Sequence, residues 1–336
     1  MKYWKSALAA ALAATALIAA GCGGGGAASS KAASAAAASA AGKKKIAVVQ
    51  LVQHGALDAA NKGFVDQLAK RGYDDKKVEF DQQNAQGDQS NLRTITNRFK
   101  NNKPDLICAI ATPAAQSVAN EITDIPVVGT AITDYTSAKL VKSDDKPGGN
   151  VTGVSDLASI DAQMDMARKI LPNMKTVGLM YCSSEVNSEV QANMVKEYCK
   201  KNNIAIEERT VNNVNDIQQV AESIRGKCDL IYVPTDNVIA SAMPTLIKVT
   251  DEAKIPVLAA ESNMVKAGAM AALSVDYYRL GQQTGDMAAD ILDGKSKPAD
   301  MAIQHQKELT LVVNQKSLEI LGVKIPEEIM SKADKV

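Results

Sequence analysis

Residues 105–127 read DLICAIATPAAQSVANEITDIPV, and residues 229–257 read DLIYVPTDNVIASAMPTLIKVTDEAKIPV. Each begins with Asp-Leu-Ile at the head of an apolar run and passes a threonine (Thr112, Thr235). Each then continues with helical periodicity and ends on Ile-Pro-Val (Ile125–Val127, Ile255–Val257). An apolar run of this length, bounded by turn signals and enriched in branched residues, marks a strand buried on both faces. Strand, crossover helix and strand make one parallel unit. Its recurrence predicts two similar halves, each an α/β doubly wound parallel sheet.

The pattern extends outward from both copies. Lys45–Val52 (KIAVVQLV) reads as a strand, and Ala56–Gly72 as a helix with Leu57, Phe64, Val65 and Leu68 on one face. Val78–Gln82 and Gln89–Asn101 follow as strand and helix. In the second half, Thr176–Tyr181, Asn187–Lys201, Ile204–Thr210 and Asp216–Arg225 repeat that alternation. Gly148–Ser155 (GGNVTGVS) reads as an extended link between the halves. Ala271–Tyr277 (AALSVDY) returns the chain to the first lobe, where Arg279–Leu292 packs as a helix, and Ile303–Val313 crosses again. The first lobe is therefore expected over residues 44–153 and 277–304, the second over 154–276 and 305–336. Several parallel crossings form a multi-strand hinge that permits closing and restricts other motions. Parallel sheets carry their ligand-facing loops at the carboxyl ends of the strands, so two such edges facing each other make a cleft.

The N-terminus reads as an export signal. Lys2 and Lys5 precede the uncharged apolar stretch Ala7–Ala20, which is shorter than the roughly 20 residues a spanning helix needs and fits a signal-peptide core. Ala19-Ala20-Gly21-Cys22 is similar to a lipoprotein processing site, predicting a signal peptide over residues 1–21 and lipidation at Cys22. Cleavage beside an incidental cysteine is the other reading. Residues 22–43 are almost wholly Gly, Ala and Ser, a flexible tether that lets a domain work close to a membrane.

Composition narrows the function. The 38 basic and 38 acidic residues balance, which gives no electrostatic reason to expect nucleic acid. No later run approaches the roughly 18 apolar residues of a membrane helix. Cys108, Cys182, Cys199 and Cys228 lack metal-ligand spacing, and nothing in the sequence fixes a Cys199–Cys228 disulfide. The two histidines, His54 and His305, lie near no nucleophile motif, and no Gly-rich phosphate loop or G-x-S-x-G elbow appears. A non-enzyme without cofactor or metal is expected. The effector domain of a transcription regulator is opposed by the signal peptide and by the lack of a basic helix-turn-helix segment.

The chain from about Lys45 to Ile325 resembles the ABC-transporter substrate-binding lipoproteins of the tryptophan/tyrosine-binding type. The residues that carry the resemblance are His54 with Leu57-Asp58 and Gly63-Phe64, Thr112-Pro113-Ala114-Ala115-Gln116, and Asn150-Val151-Thr152-Gly153-Val154. Glu185 with Asn187-Ser188, Pro234-Thr235-Asp236-Asn237, and Val275-Asp276-Tyr277 with Gly281 complete the set. Where the family often has Asn-Pro, this chain has Cys182-Ser183. The resemblance implies a type I periplasmic-binding fold and a solute-binding protein anchored at the outer face of the cytoplasmic membrane. It would act as a monomer, passing a small molecule to an ABC permease with its ATPase. It also implies ligand contacts at His54, Leu57, Asp58, Gln116, Glu185, Thr235 and Asn237.

An amino-acid ligand needs donors for its carboxylate, an acceptor for its ammonium and a shaped wall for its side chain. Thr112 with the N–H groups of Ala114 and Ala115, and Ser183, Ser184, Asn187 and Ser188 in the other half, offer helix starts for the carboxylate. Plain helix capping explains the same residue types. Asp236 and Asp276, each ending an apolar strand, are the expected ammonium partners, with Glu261 a third, and the alternative is again a cap or a hinge contact. Tyr135 and Tyr277 sit where they can touch a ring. A free amino acid, aromatic or large and apolar, is the expected ligand. A sugar, nucleoside or other small ligand, or a sensory role, is the alternative.

Overall fold

The computed structural model describes residues 42–336. The expected signal peptide, the Cys22 lipid site and the tether up to residue 41 lie outside the described residues.

Five strands of the first half, β1 (Lys44–Gln50), β2 (Val78–Asn84), β3 (Leu106–Ile110), β4 (Val127–Ile132) and β5 (Val151–Ser155), join β11 (Gln304–His305) in a wholly parallel sheet. Its order is β11-β5-β4-β3-β1-β2. The run DLICAI does become a central strand, with Leu106–Ile110 fully buried between β1 and β4. Helices α1 (Gly55–Lys70), α2 (Gln89–Asn102) and α3 (Thr112–Glu121) make the crossovers.

The second sheet has the order β13-β12-β10-β9-β8-β6-β7. Its strands are β6 (Thr176–Cys182), β7 (Ala205–Val211), β8 (Leu230–Val233), β9 (Val257–Ala259), β10 (Ala271–Ser274), β12 (Thr310–Val313) and β13 (Asp334–Lys335). Pairing is parallel except between β10 and β12. Helices α4 (Ile160–Ile170), α5 (Val186–Lys201), α6 (Ile217–Ile224), α7 (Asn237–Ser241), α8 (Met243–Ala253) and α9 (Ser262–Lys266) cover it, and α11 (Gln315–Leu321) and α12 (Glu327–Met330) follow β12.

Between β10 and β11 the chain returns to the first lobe as α10 (Tyr277–Leu292), which lies on α1. Two glycines set that contact. A Cβ on Gly63 would sit 2.0 Å from the Tyr278 carbonyl oxygen, and one on Gly281 would sit 2.0 Å from that of Ala60. Only hydrogen side chains allow the two backbones to approach so closely.

Val151–Ser155, within the expected extended link, is a full strand on β4, so the expected boundary at 153/154 falls inside β5, and that at 304/305 falls inside β11. Gly153 is required there by packing. At φ +155° its Cβ would meet the Gly129 carbonyl oxygen at 2.1 Å and the Tyr135 hydroxyl at 2.3 Å. Cys108, Cys182, Cys199 and Cys228 are free thiols. Among the described residues no helix is long and apolar enough to cross a membrane.

Candidate functional site

The carboxyl ends of β1, β4, β5, β8 and β9 converge between the sheets, with the start of α5 beside them. They enclose a cavity of about 10 Å³ lined by His54, Leu57, Ala131, Thr133, Asp156, Asn187, Thr235, Asp236, Asn237, Glu261, Met264 and Tyr277, among others. That is space for about one water. Hydrogen bonds cross the cleft. His54 Nε2 lies 3.2 Å from Asn237 Oδ1, and Thr133 Oγ1 lies 3.1 Å from Thr235 Oγ1. Gln191 Nε2 donates to Thr235 Oγ1 at 2.5 Å and to Thr133 Oγ1 at 3.4 Å. Thr133 reaches this position past a register shift between Gly129 and Ile132, where Ala131 takes a left-handed φ of 54°. Such an irregularity re-aims side chains at a site.

Carboxylates dominate the wall. Asp156 follows β5 and accepts from Thr133 Oγ1 at 3.1 Å and from the Tyr277 hydroxyl at 2.8 Å. Asp236 accepts from the Cys182 N–H at 2.6 Å, Ser188 Oγ at 2.7 Å and, as the cap of α7, the Ile239 N–H at 2.8 Å. Glu261 caps α9 through the Asn263 and Met264 N–H groups at 2.6 and 2.7 Å. Behind Asp236, Glu185 accepts from Asn187 Nδ2 at 2.9 Å and Asn237 Nδ2 at 2.7 Å. Burial pushes the Asp156 and Asp236 carboxyls above their ordinary range and pushes Glu261 up to about 7. Glu185 also rises to about 7, by burial first and the Asp236 charge second. Burial lowers the His54 pKa, keeping its imidazole neutral. No lysine or arginine lines the described cavity.

Eight residues expected from sequence meet here: His54, Leu57, Asn187, Thr235, Asp236, Asn237, Glu261 and Tyr277. Glu185 and Ser188 stand one layer back as partners of Asn237 and Asp236. The others fall elsewhere. Asp276 was expected to be desolvated, yet it is exposed and caps α10 through the Arg279 N–H at 3.1 Å. Tyr135 is buried inside the first lobe with its hydroxyl on the Val154 carbonyl oxygen at 3.2 Å. Asp58 is exposed and takes Gln50 Nε2 at 2.7 Å. Thr112, Ala114 and Ala115 are buried at the start of α3, and Gln116 donates to the Ala138 carbonyl. None of these four touches the small cavity. Ser183 and Ser184 are exposed. Ser184 borders a second interlobe cavity of about 280 Å³, with Pro113 opposite. The sequence reading missed Ala56, Ala131, Thr133, Asp156, Ala240 and Met264. Ala131, Thr133 and Asp156 end or follow parallel strands, the rule that located Asp236.

Relatives carry the same architecture. The ABC transporter substrate binding protein family matches residues 45–336, and the chain belongs to that family. It is 42% identical to the tyrosine-binding protein of Clostridioides difficile (strain R20291), over 83% of this chain and 81% of that one. A Streptococcus pneumonia structure in complex with L-Trp superposes with a TM-score of 0.85 at 40% identity, covering 88% of this chain and 99% of that chain. The ligand-free, open structure of a Clostridium difficile substrate-binding protein gives 0.68 at 42% identity, covering 87% and 99%. The closer match to the complex, despite similar identity, agrees with lobes drawn together by the cross-cleft bonds.

Proposed function

We propose that this chain is the exported, lipid-anchored receptor of an ABC importer and that it binds a free aromatic amino acid between its lobes. It would deliver the ligand to a permease by hinge motion, without catalysing a reaction. The observation that carries the reading is the cleft wall: carboxylates and neutral hydrogen-bonding groups, with no lysine or arginine. A positive ligand group is what such a wall lacks. Kinship with a tyrosine-binding protein and an L-Trp complex supports the aromatic class. His54, Leu57, Asn187, Thr235, Asp236, Asn237, Glu261 and Tyr277 are the proposed lining. A ligand held by both lobes binds the closed state better and shifts the population toward it.

Calorimetry with L-tyrosine, L-tryptophan, L-phenylalanine, sugars and nucleosides tests the assignment. Micromolar or tighter binding of an aromatic amino acid is expected. Tight binding of a sugar or nucleoside with no response to any amino acid overturns the ligand class and leaves the transport role standing.

A further inference from the structure

The four carboxylates around the cleft are not equally free. Asp236 and Glu261 each receive three donors, two of them backbone N–H groups, and serve as helix caps. Glu185 receives three donors from Asn187 and Asn237 and does not reach the small cavity. Asp156 differs. It is 3% exposed, lines the cavity, and receives one hydroxyl on each oxygen, from Thr133 and Tyr277. A carboxylate offers about four acceptor positions, so Asp156 keeps two of them for a donor from the cavity. A buried charge balanced only by two neutral hydroxyls is the costly arrangement that a cation relieves.

A second group independently asks for a donor. Asn187 is 4% exposed and lines the same cavity. Its Nδ2 is committed to Glu185 and to the Thr235 carbonyl, both at 2.9 Å, which fixes the amide orientation. Its Oδ1 is buried with no partner in the protein. Buried polar atoms without partners are rare, and one in a cleft wall points to what the cleft binds.

We propose that Asp156, with Asn187 Oδ1 as the second acceptor, takes the ligand's ammonium group. The assignment rests on the amino-acid reading of the cleft. It places the cation partner at the end of β5, where the chain leaves the first lobe, and the second acceptor on the second lobe. The ammonium then joins the two lobes beside a hinge crossing, and the caps Asp236 and Glu261 serve mainly to hold the loops around it.

The test is calorimetry on the full-length protein in detergent, with L-tyrosine and L-tryptophan against 3-(4-hydroxyphenyl)propionate and indole-3-propionate, which lack the amino group. Wild type should prefer the amino acids at least about thirtyfold, the low end for an unpaired buried charge. Asp156→Asn should lose at least about thirtyfold for the amino acids and change little for the desamino acids. Asp156→Glu, which keeps the charge and displaces it, should shrink the amino acids' advantage and serves as the deciding variant if Asp156→Asn does not fold. An unchanged advantage in either variant overturns the assignment, as does an equal loss for both ligand types. Wild type that binds no amino acid at all fails the functional reading itself, before any variant is compared.

Discussion

Thr133, just beyond β4 of the first lobe, and Thr235, just beyond β8 of the second, bring their hydroxyl oxygens to 3.1 Å across the cleft. Thr133 donates onward to Asp156, so Thr235 is the donor between the two threonines. The bond exists only with the lobes together, and it is the middle link of a polar string running from Gln191 through Thr235 and Thr133 to Asp156.

That bond predicts a closure phenotype. Thr235→Val removes the cross-lobe donor, worth about 1 kcal/mol net, and should weaken ligand binding by roughly fivefold through a smaller closed population. Small-angle scattering of Thr235→Val without ligand should show a larger radius of gyration than wild type. A radius and affinity equal to those of wild type would show that the bond contributes nothing to closure.

Buried acids predict a pH trend. Glu185 and Glu261 titrate near 7 when folded, against about 4.5 when exposed. Between those values the folded protein holds protons that the unfolded chain has released, so stability falls as pH rises from about 5 to about 7.5. Each group accounts for up to roughly 3 kcal/mol. Thermal melting across this range should show the decline, and Glu261→Gln, which retains an uncharged acceptor, should flatten it. A melting temperature that rises over the same interval contradicts the assignment.

The helix contact at Gly281 predicts a stability loss far from the cleft. Alanine there places its Cβ 2.0 Å from the Ala60 carbonyl oxygen, an atom of backbone that cannot swing aside. Gly281→Ala should cost at least about 2 kcal/mol, seen as a lower denaturant midpoint. Gly294, by contrast, has no neighbour within 4 Å of an added Cβ, and Gly294→Ala should cost only the strain of its φ of +71°. A near-neutral Gly281→Ala would mean that α10 does not pack on α1 as described.

The proposed anchor predicts a partitioning change. Wild type should carry two or more acyl chains on Cys22 and follow the detergent phase, whereas Cys22→Ala should remain in the aqueous phase. Mass spectrometry of the mature N-terminus distinguishes the two. Equal partitioning with no lipid mass removes the anchor from the functional reading and leaves the cleft untouched.

What the sequence determined is local or periodic. Runs such as DLICAIA and DLIYV can only be buried parallel strands, because their apolar character has no polar face and recurs with crossover helices between. The carboxyl ends of those strands then pointed to Asp236 and Glu261 as cleft residues, whereas His54 and Thr235 came from the family resemblance. Asp276 was expected in the cleft from sequence and Asp156 was missed. Each follows a short apolar strand, and the sequence gives no means of ranking them. Only the tertiary structure puts Asp156 under Thr133 and Tyr277 and leaves Asp276 in solvent at the start of α10. Asp156 directly follows GGNVTGVS, which reads as an extended link between the halves rather than as a strand aimed at the cleft. In the fold, Gly153 is held in a strand where the Gly129 backbone and the Tyr135 hydroxyl leave no room for a side chain. Burial of a charge depends on what the opposite lobe and the hinge place above it, and those neighbours are distant in sequence: Thr133 and Tyr277 reach Asp156 from positions 23 and 121 residues away.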